Sequence, residues 1–163
     1  MAVVLVEGVT DSIALEAVAA KLGRDLGGEG VEIVPIGGAQ AIRRAAAPYE
    51  GERRAGLCDA GEARFFRRVL GDATYVCDKD LEDELIRALG PARVQEIVLA
   101  EGELETFRNF QNQVFWRGQP VERQLRRWLQ NGGRYLRYPP LLVEALEADR
   151  IPLPLVGVLD AVA

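Results

Sequence analysis

Within the first ninety or so residues, four short apolar runs alternate with four helix-patterned segments, and this alternation constrains the fold more than anything else in the chain. The runs are Val3–Val6, Val31–Ile36, Arg54–Cys58 and Ala73–Cys77, mostly branched or small residues of the kind that fill buried strands. Between them, Thr10 is placed to cap a helix reaching about Leu22, with Ala14, Leu15, Val18, Ala19 and Leu22 on one face. A short Ala/Arg helix is expected over about 39–47, another over 61–70, and a fourth from about Asp80 to Leu89, stopped by Gly90-Pro91. Strand and helix in strict alternation specify a parallel sheet flanked by helices. After Pro91 the pattern becomes helical, over about 92–99, 103–113, 121–130 and 141–148, with an apolar tail, 155–162, that suits either a helix or a strand. The expected organisation is an α/β core over residues 1–91 and an α-helical C-terminal extension over 92–163 packed on it.

Several function classes fall away on composition. The chain has no histidine, which removes Ser/His/Asp and Cys/His catalysis and histidine metal sites. Acid–base work is left to Asp, Glu, Tyr, Lys or a bound metal. Cys58 and Cys77 each end an apolar run and read as small core residues, not as a disulfide framework. A formal net charge of -5 argues against wholesale coating of nucleic acid and leaves room for a local basic groove. The N-terminus lacks a basic leader, and no apolar stretch approaches the ~20 residues of a membrane span, so a cytoplasmic protein is expected.

Acids stand at or just after three of the four strand ends. Glu7 closes the first strand and Asp11 follows across a glycine turn; Asp59 closes the third, with Glu62 nearby; Asp78, Asp80, Glu82, Asp83 and Glu84 follow the fourth. In a helix beginning near Asp80, Leu81, Leu85 and Leu89 pack inward, Asp80, Asp83 and Glu84 share the outer face with Arg87, and Glu82 lies at the edge of the apolar stripe. Taken singly, each group suits a helix N-terminus or a solvated face. Taken together they converge, because the carboxyl ends of parallel strands share one edge of the sheet. Crowded carboxylates repel unless a cation sits among them, and oxygen-only ligands suit Mg²⁺ or Mn²⁺. Two such ions roughly 4 Å apart clamp a phosphodiester in line.

A second feature lies between Glu105 and Tyr138, where seven arginines meet two acids and seven of the eleven aromatics collect. Arginine neutralises phosphate and aromatics stack on unpaired bases. Trp128 and most of the phenylalanines are expected in the core, with Arg123, Arg126 and Arg127 facing away from it.

These residues resemble a known family. The run Val4-Leu5-Val6-Glu7-Gly8-Val9-Thr10-Asp11 before an apolar helix resembles the first motif of a Toprim domain. Ala55-Gly56-Leu57-Cys58-Asp59 resembles the second, and Val76-Cys77-Asp78-Lys79-Asp80-Leu81-Glu82-Asp83-Glu84-Leu85 is similar to the OLD (overcoming lysogenization defect) subgroup. The resemblance implies a Toprim-like, Rossmann-like, mainly parallel four-stranded sheet. It implies a Mg²⁺-dependent (or Mn²⁺-dependent) DNA endonuclease working through two metal ions. Glu7, Asp11 and Asp59 fall on the family's metal positions, and Asp80 with Glu82 or Glu84 on its additional acidic motif. On that pattern Glu7, Asp59 and Glu62 hold one ion, and Asp11, Asp80 and Glu84 (or Glu82) the other. The usual Asp-x-Asp is here Asp59-Ala60-Gly61 with Glu62 one place later, and the family's late lysine is replaced by Arg134 or Arg137. OLD proteins also carry an ATPase domain; this chain contains no G-x-x-x-x-G-K-[ST] run, so the implied partners are DNA and a separate ABC-type ATPase. The alternative is a catalytically weakened Toprim domain serving as a DNA-binding or regulatory partner of an ATPase.

Overall fold

The computed structural model describes residues 1–163. Four strands, β1 (Ala2–Val6), β2 (Val31–Pro35), β3 (Arg53–Asp59) and β4 (Thr74–Cys77), form one parallel sheet in the order β2-β1-β3-β4. β1 lies between β2 and β3, with Val6 opposite both Pro35 and Leu57. The chain moves from β1 to one side, then crosses to β3 on the other. The carboxyl ends of β1 and β3 therefore flank the switch point, where such sheets open a ligand crevice.

β1 is buried throughout and its side chains alternate between two cores. Val4 and Val6 join the larger core, while Val3 and Leu5 join a smaller one with Ile42, Cys58 and Phe66. Helix α1 (Val9–Lys21) covers the larger face through Ala14, Leu15, Val18 and Ala19. Helices α2 (Ile42–Ala46) and α3 (Ala63–Leu70) cover the other. Gly56 on β3 makes this second layer possible, since a Cβ there would come within 2.5 Å of Leu70 and 2.7 Å of Phe66.

The remaining helices are α4 (Leu81–Leu89), α5 (Pro91–Ala100), α6 (Leu104–Gln111), α7 (Val121–Gln130), α8 (Arg134–Ala145) and α9 (Leu153–Asp160). They share the larger core: α8 packs along α1, α7 against α4, and α9 against β3 and β4. Its aromatic centre is Trp128, edge-on to Phe107 at 5.3 Å and to Tyr138 at 5.7 Å. Cys58 and Cys77 are buried and unpaired. No helix is long and apolar enough to cross a membrane.

Two expectations are corrected and one open choice is decided. Thr10 does not cap α1. Gly8 does, in extended backbone, and its N–H donates to the Asp11 carboxylate at 3.0 Å. The apolar tail is a helix, α9, begun by Pro152 and Pro154. Finally, α8 starts at Arg134, seven residues before the expected start, and contains Pro139 and Pro140. The carbonyls those prolines leave without donors belong to Tyr135 and Leu136, both exposed residues.

Candidate functional site

At the carboxyl edge of the sheet, acids arrive from β1, β3 and the first turns of two helices, and the turn after β2 supplies backbone. Glu7 leaves β1, and its backbone is fixed by the turn after β2: the N–H groups of Gly37 and Gly38 donate to the Glu7 carbonyl at 3.1 and 3.2 Å. Those two glycines take φ of 77° and 121°, a geometry that side-chain-bearing residues rarely adopt. They form a backbone clamp, and their amides are spent on Glu7. Across the switch point, the Asp59 N–H at the end of β3 donates to Glu7 Oε1 at 2.8 Å. Asp11 comes from the first turn of α1 and Glu82 from the first turn of α4, which Asp80 caps.

Glu7, Asp11, Asp59, Asp80 and Glu82 line one cleft of about 300 Å³, together with Thr10, Gly38 and Gln130. Glu62 lies in the adjoining, larger cleft of about 900 Å³, which shares Glu7 and Gly38 and is bordered by Arg43 and Arg44. Both arginines are exposed, and neither forms an ion pair with an acid.

Three residues anticipated at the site stand apart from these clefts. Glu84 accepts the Asp78 N–H at 2.8 Å and pairs with Arg87 at 3.0 Å. Arg137 pairs with Glu103, while Arg134 stacks over Trp128 at 4.2 Å and donates to its carbonyl at 2.8 Å. Asp80 and Asp83 are not on a solvated outer face. Both are buried, because α7 lies over the start of α4. Lys79 is exposed and pairs with no acid.

Helix α7 enters the site directly. Arg126 Nε donates to Asp80 Oδ2 at 2.7 Å and Gln130 Nε2 to the same oxygen at 2.9 Å; Asp80 Oδ1 accepts the Asp83 N–H at 2.9 Å. Both oxygens of Asp80 are thus engaged by protein donors. Gln130 also reaches Glu82 Oε2 at 3.5 Å. Sequence reasoning missed Gln130 and treated Arg126 as a surface cation. The available signal was their spacing of four, which places them on one side of a helix.

The electrostatics are those of crowded, half-desolvated acids. Burial, with the neighbouring charges of Glu7, Asp11, Asp80 and Glu82, pushes Asp59 up to about 8. Burial also lifts Asp11 to about 7, despite its bond from Gly8, with Glu7, Glu82 and Asp80 adding to the rise. Glu7 is raised by burial and by Glu62, against the lowering effect of the Asp59 N–H; Glu82 is raised by burial and by Asp80. Such a cluster gains from a positive charge in its midst.

The donor set fits a hard divalent cation: it is all carboxylate, with no sulfur or nitrogen. Asp59 has no side-chain partner, and Glu7 and Asp11 each keep one oxygen free of protein donors. As the side chains stand, no three acids or cysteines are arranged about a common point to hold an ion. Glu7 and Asp11 are turned toward backbone N–H groups and Asp80 toward α7.

Comparison with known proteins agrees with this reading of the fold. Residues 1–51 match the family model described as "Overcoming lysogenization defect protein-like, TOPRIM domain". No curated protein sequence matches the chain. Among solved structures, the chain is similar to the C-terminal region of the Xanthomonas campestris pv. campestris OLD protein, with TM-score 0.72 and 21% identity over 99% of this chain and 91% of that one. It is also similar to the C-terminal region of the Burkholderia pseudomallei OLD protein, with TM-score 0.68 and 17% identity over 99% and 98%. The family match thus covers the opening motif, and the whole chain has a fold similar to that of OLD C-terminal regions.

Proposed function

We propose that this protein is a divalent-metal-dependent DNA endonuclease of the OLD Toprim type, in which residues 1–91 form the catalytic core and 92–163 an extension that completes the site. The observation that carries the proposal is the meeting of Glu7, Asp11, Asp59, Asp80 and Glu82 in one cleft at the sheet's switch point. Glu7, Asp59 and Glu62 would hold one Mg²⁺ or Mn²⁺; Asp11, Asp80 and Glu82 would hold a second. The lining of the cleft supports Glu82 over Glu84. The chemistry such a pair of ions supplies when bound is activation of the attacking water and stabilisation of the leaving oxygen.

The protein's own residues do the rest. Gly37 and Gly38 lock the Glu7 backbone, and the Asp59 N–H orients its carboxylate. Arg126 and Gln130 hold Asp80, so that a long-range contact from the extension sets one wall of the cleft. Arg43 and Arg44, uncommitted and beside Glu7 and Glu62, are better disposed to receive phosphate charge than Arg134 or Arg137, which are committed to Trp128 and Glu103. An ABC-type ATPase is the proposed partner; the structural relatives are themselves described as C-terminal regions of OLD proteins.

One observation favours a second reading, that of a catalytically weakened binding partner of an ATPase. Glu62 borders the neighbouring cleft, and no three acids surround a common point. Cleavage of supercoiled and linear DNA in Mg²⁺, Mn²⁺ or EDTA, with Glu7→Gln as control, separates the two. Metal-dependent nicking lost in the variant supports the nuclease. DNA binding with no cleavage in any metal supports the weakened partner.

A further inference from the structure

Next to the carboxylate cleft lies a third cleft of different chemistry, about 380 Å³ in volume and lined by Phe115, Trp116, Arg123, Arg126, Arg127 and Gln130. Two residues tie it to the first. Gln130 lines both clefts, and Arg126 reaches from one to bind Asp80 in the other.

The aromatic wall is held out to solvent. Phe115 is 66% exposed and stands edge-on to Trp116, with ring centroids 5.0 Å apart. Trp116 is braced from beneath by Phe110 at 5.0 Å, and the Arg123 guanidinium lies 5.8 Å from its ring centroid. An exposed phenylalanine on a turn gains little for folding, yet this one is backed by a half-buried tryptophan. The opposite wall is cationic. Arg123 and Arg127 are exposed and form no ion pair, whereas Arg108, Arg126 and Arg137 in the same basic stretch are committed to side-chain partners.

We propose that this cleft binds one unpaired nucleotide of a DNA strand, with its base stacked on Phe115 and its phosphates against Arg123 and Arg127. A presented aromatic face beside two free guanidinium groups is the chemistry that recognises single-stranded nucleic acid without reading its sequence. Duplex DNA keeps its bases stacked on one another and has none to offer Phe115. The site therefore selects strands that are single, frayed or flipped at the nucleotide beside the phosphate entering the carboxylate cleft. The proposal rests on reading that cleft as a phosphodiester-cleaving site, which the neighbouring pocket supplies with a substrate of defined structure.

The test is binding of a fluorescein-labelled single-stranded oligonucleotide and of the matching blunt duplex, by anisotropy in EDTA, so that binding is read without cleavage. Phe115→Ala is expected to weaken single-strand binding about tenfold while leaving duplex binding unchanged, and Phe115→Tyr to restore it. Arg123→Ala with Arg127→Ala is expected to weaken binding and to lower the salt dependence by roughly 1.4 in the log–log slope. The oligonucleotide should also quench tryptophan emission through Trp116 in the wild type, and less so in Phe115→Ala. Equal single-strand affinity in Phe115→Ala, tighter binding to the blunt duplex, or no binding at all overturns the proposal. The two readings fail separately. Phe115-dependent binding without cleavage of plasmid in any metal removes the nuclease and leaves the pocket. Metal-dependent cleavage with Phe115→Ala binding like wild type removes the pocket and leaves the nuclease.

Discussion

Replacing Asp11 by Asn should stabilise the metal-free protein at alkaline pH. Asp11 is raised from 3.8 to about 7, first by burial and then by Glu7, Glu82 and Asp80. An acid whose pKa is higher in the folded state binds its proton more tightly there. Its contribution to stability is therefore complete below pH 4 and is lost as pH rises through about 7. At pH 8 the full shift corresponds to a ceiling of about 4 kcal/mol against folding. Relaxation and water entry reduce this to roughly 1–2 kcal/mol. Asn removes the charge and keeps an amide oxygen for the Gly8 N–H, so the start of α1 is preserved. Thermal unfolding in EDTA should then give Asp11→Asn a Tm roughly 2–8 °C above wild type at pH 8. The gap should close toward pH 4. Added Mg²⁺ should raise the wild type at pH 8 by more than it raises the variant. A gap that is the same at pH 4 and pH 8, or a variant less stable than wild type at pH 8, would refute the argument that Asp11 is a strained carboxylate awaiting a cation.

Other outcomes follow from packing and from the contact between α7 and α4. Trp128→Ala removes the ring that Phe107, Tyr138 and Arg134 all meet, and should cost about 3–5 kcal/mol by urea denaturation. Gly56→Ala drives a methyl into Leu70 and Phe66 and should cost about 1–3 kcal/mol, with refined crystal coordinates showing α3 displaced from the sheet. Arg126→Ala leaves Asp80 Oδ2 to Gln130 alone and should lower metal-free stability by roughly 1 kcal/mol, since the arginine is partly exposed. Its larger effect should be a higher Mg²⁺ concentration for half-maximal cleavage, read by titrating the metal at fixed DNA.

The α/β half of the molecule was legible because parallel strands are buried on both faces and so announce themselves as apolar runs. All four strands lie within a residue or so of their expected limits, and the meeting of the acids at the ends of β1, β3 and β4 follows from topology alone. What stayed hidden depends on contacts between elements distant in sequence. No local pattern says that α7 lies over α4, so the burial of Asp80 and Asp83 and the pairing of Asp80 with Arg126 could not be read. The expected helix began at 141, whereas α8 runs through Pro139-Pro140: the penalty for proline is local, while the packing of α8 on α1 that outweighs it is not. The basic, aromatic stretch divided as expected, with Trp128, Phe107 and Phe110 buried, but which arginines stay free is decided by the folded positions of Asp80, Glu101 and Glu103.

The central claim is that the crowded carboxylates at the switch point are a divalent-cation site. Diffraction from crystals grown with Mn²⁺, measured at the manganese absorption edge, tests it most directly. The account predicts anomalous peaks inside the cleft, with Glu7, Asp59 and Glu62 around one and Asp11, Asp80 and Glu82 around the other, and their loss in Glu7→Gln. Crystals that show no peak in the cleft at a Mn²⁺ concentration supporting DNA cleavage, or peaks only elsewhere on the molecule, would contradict it.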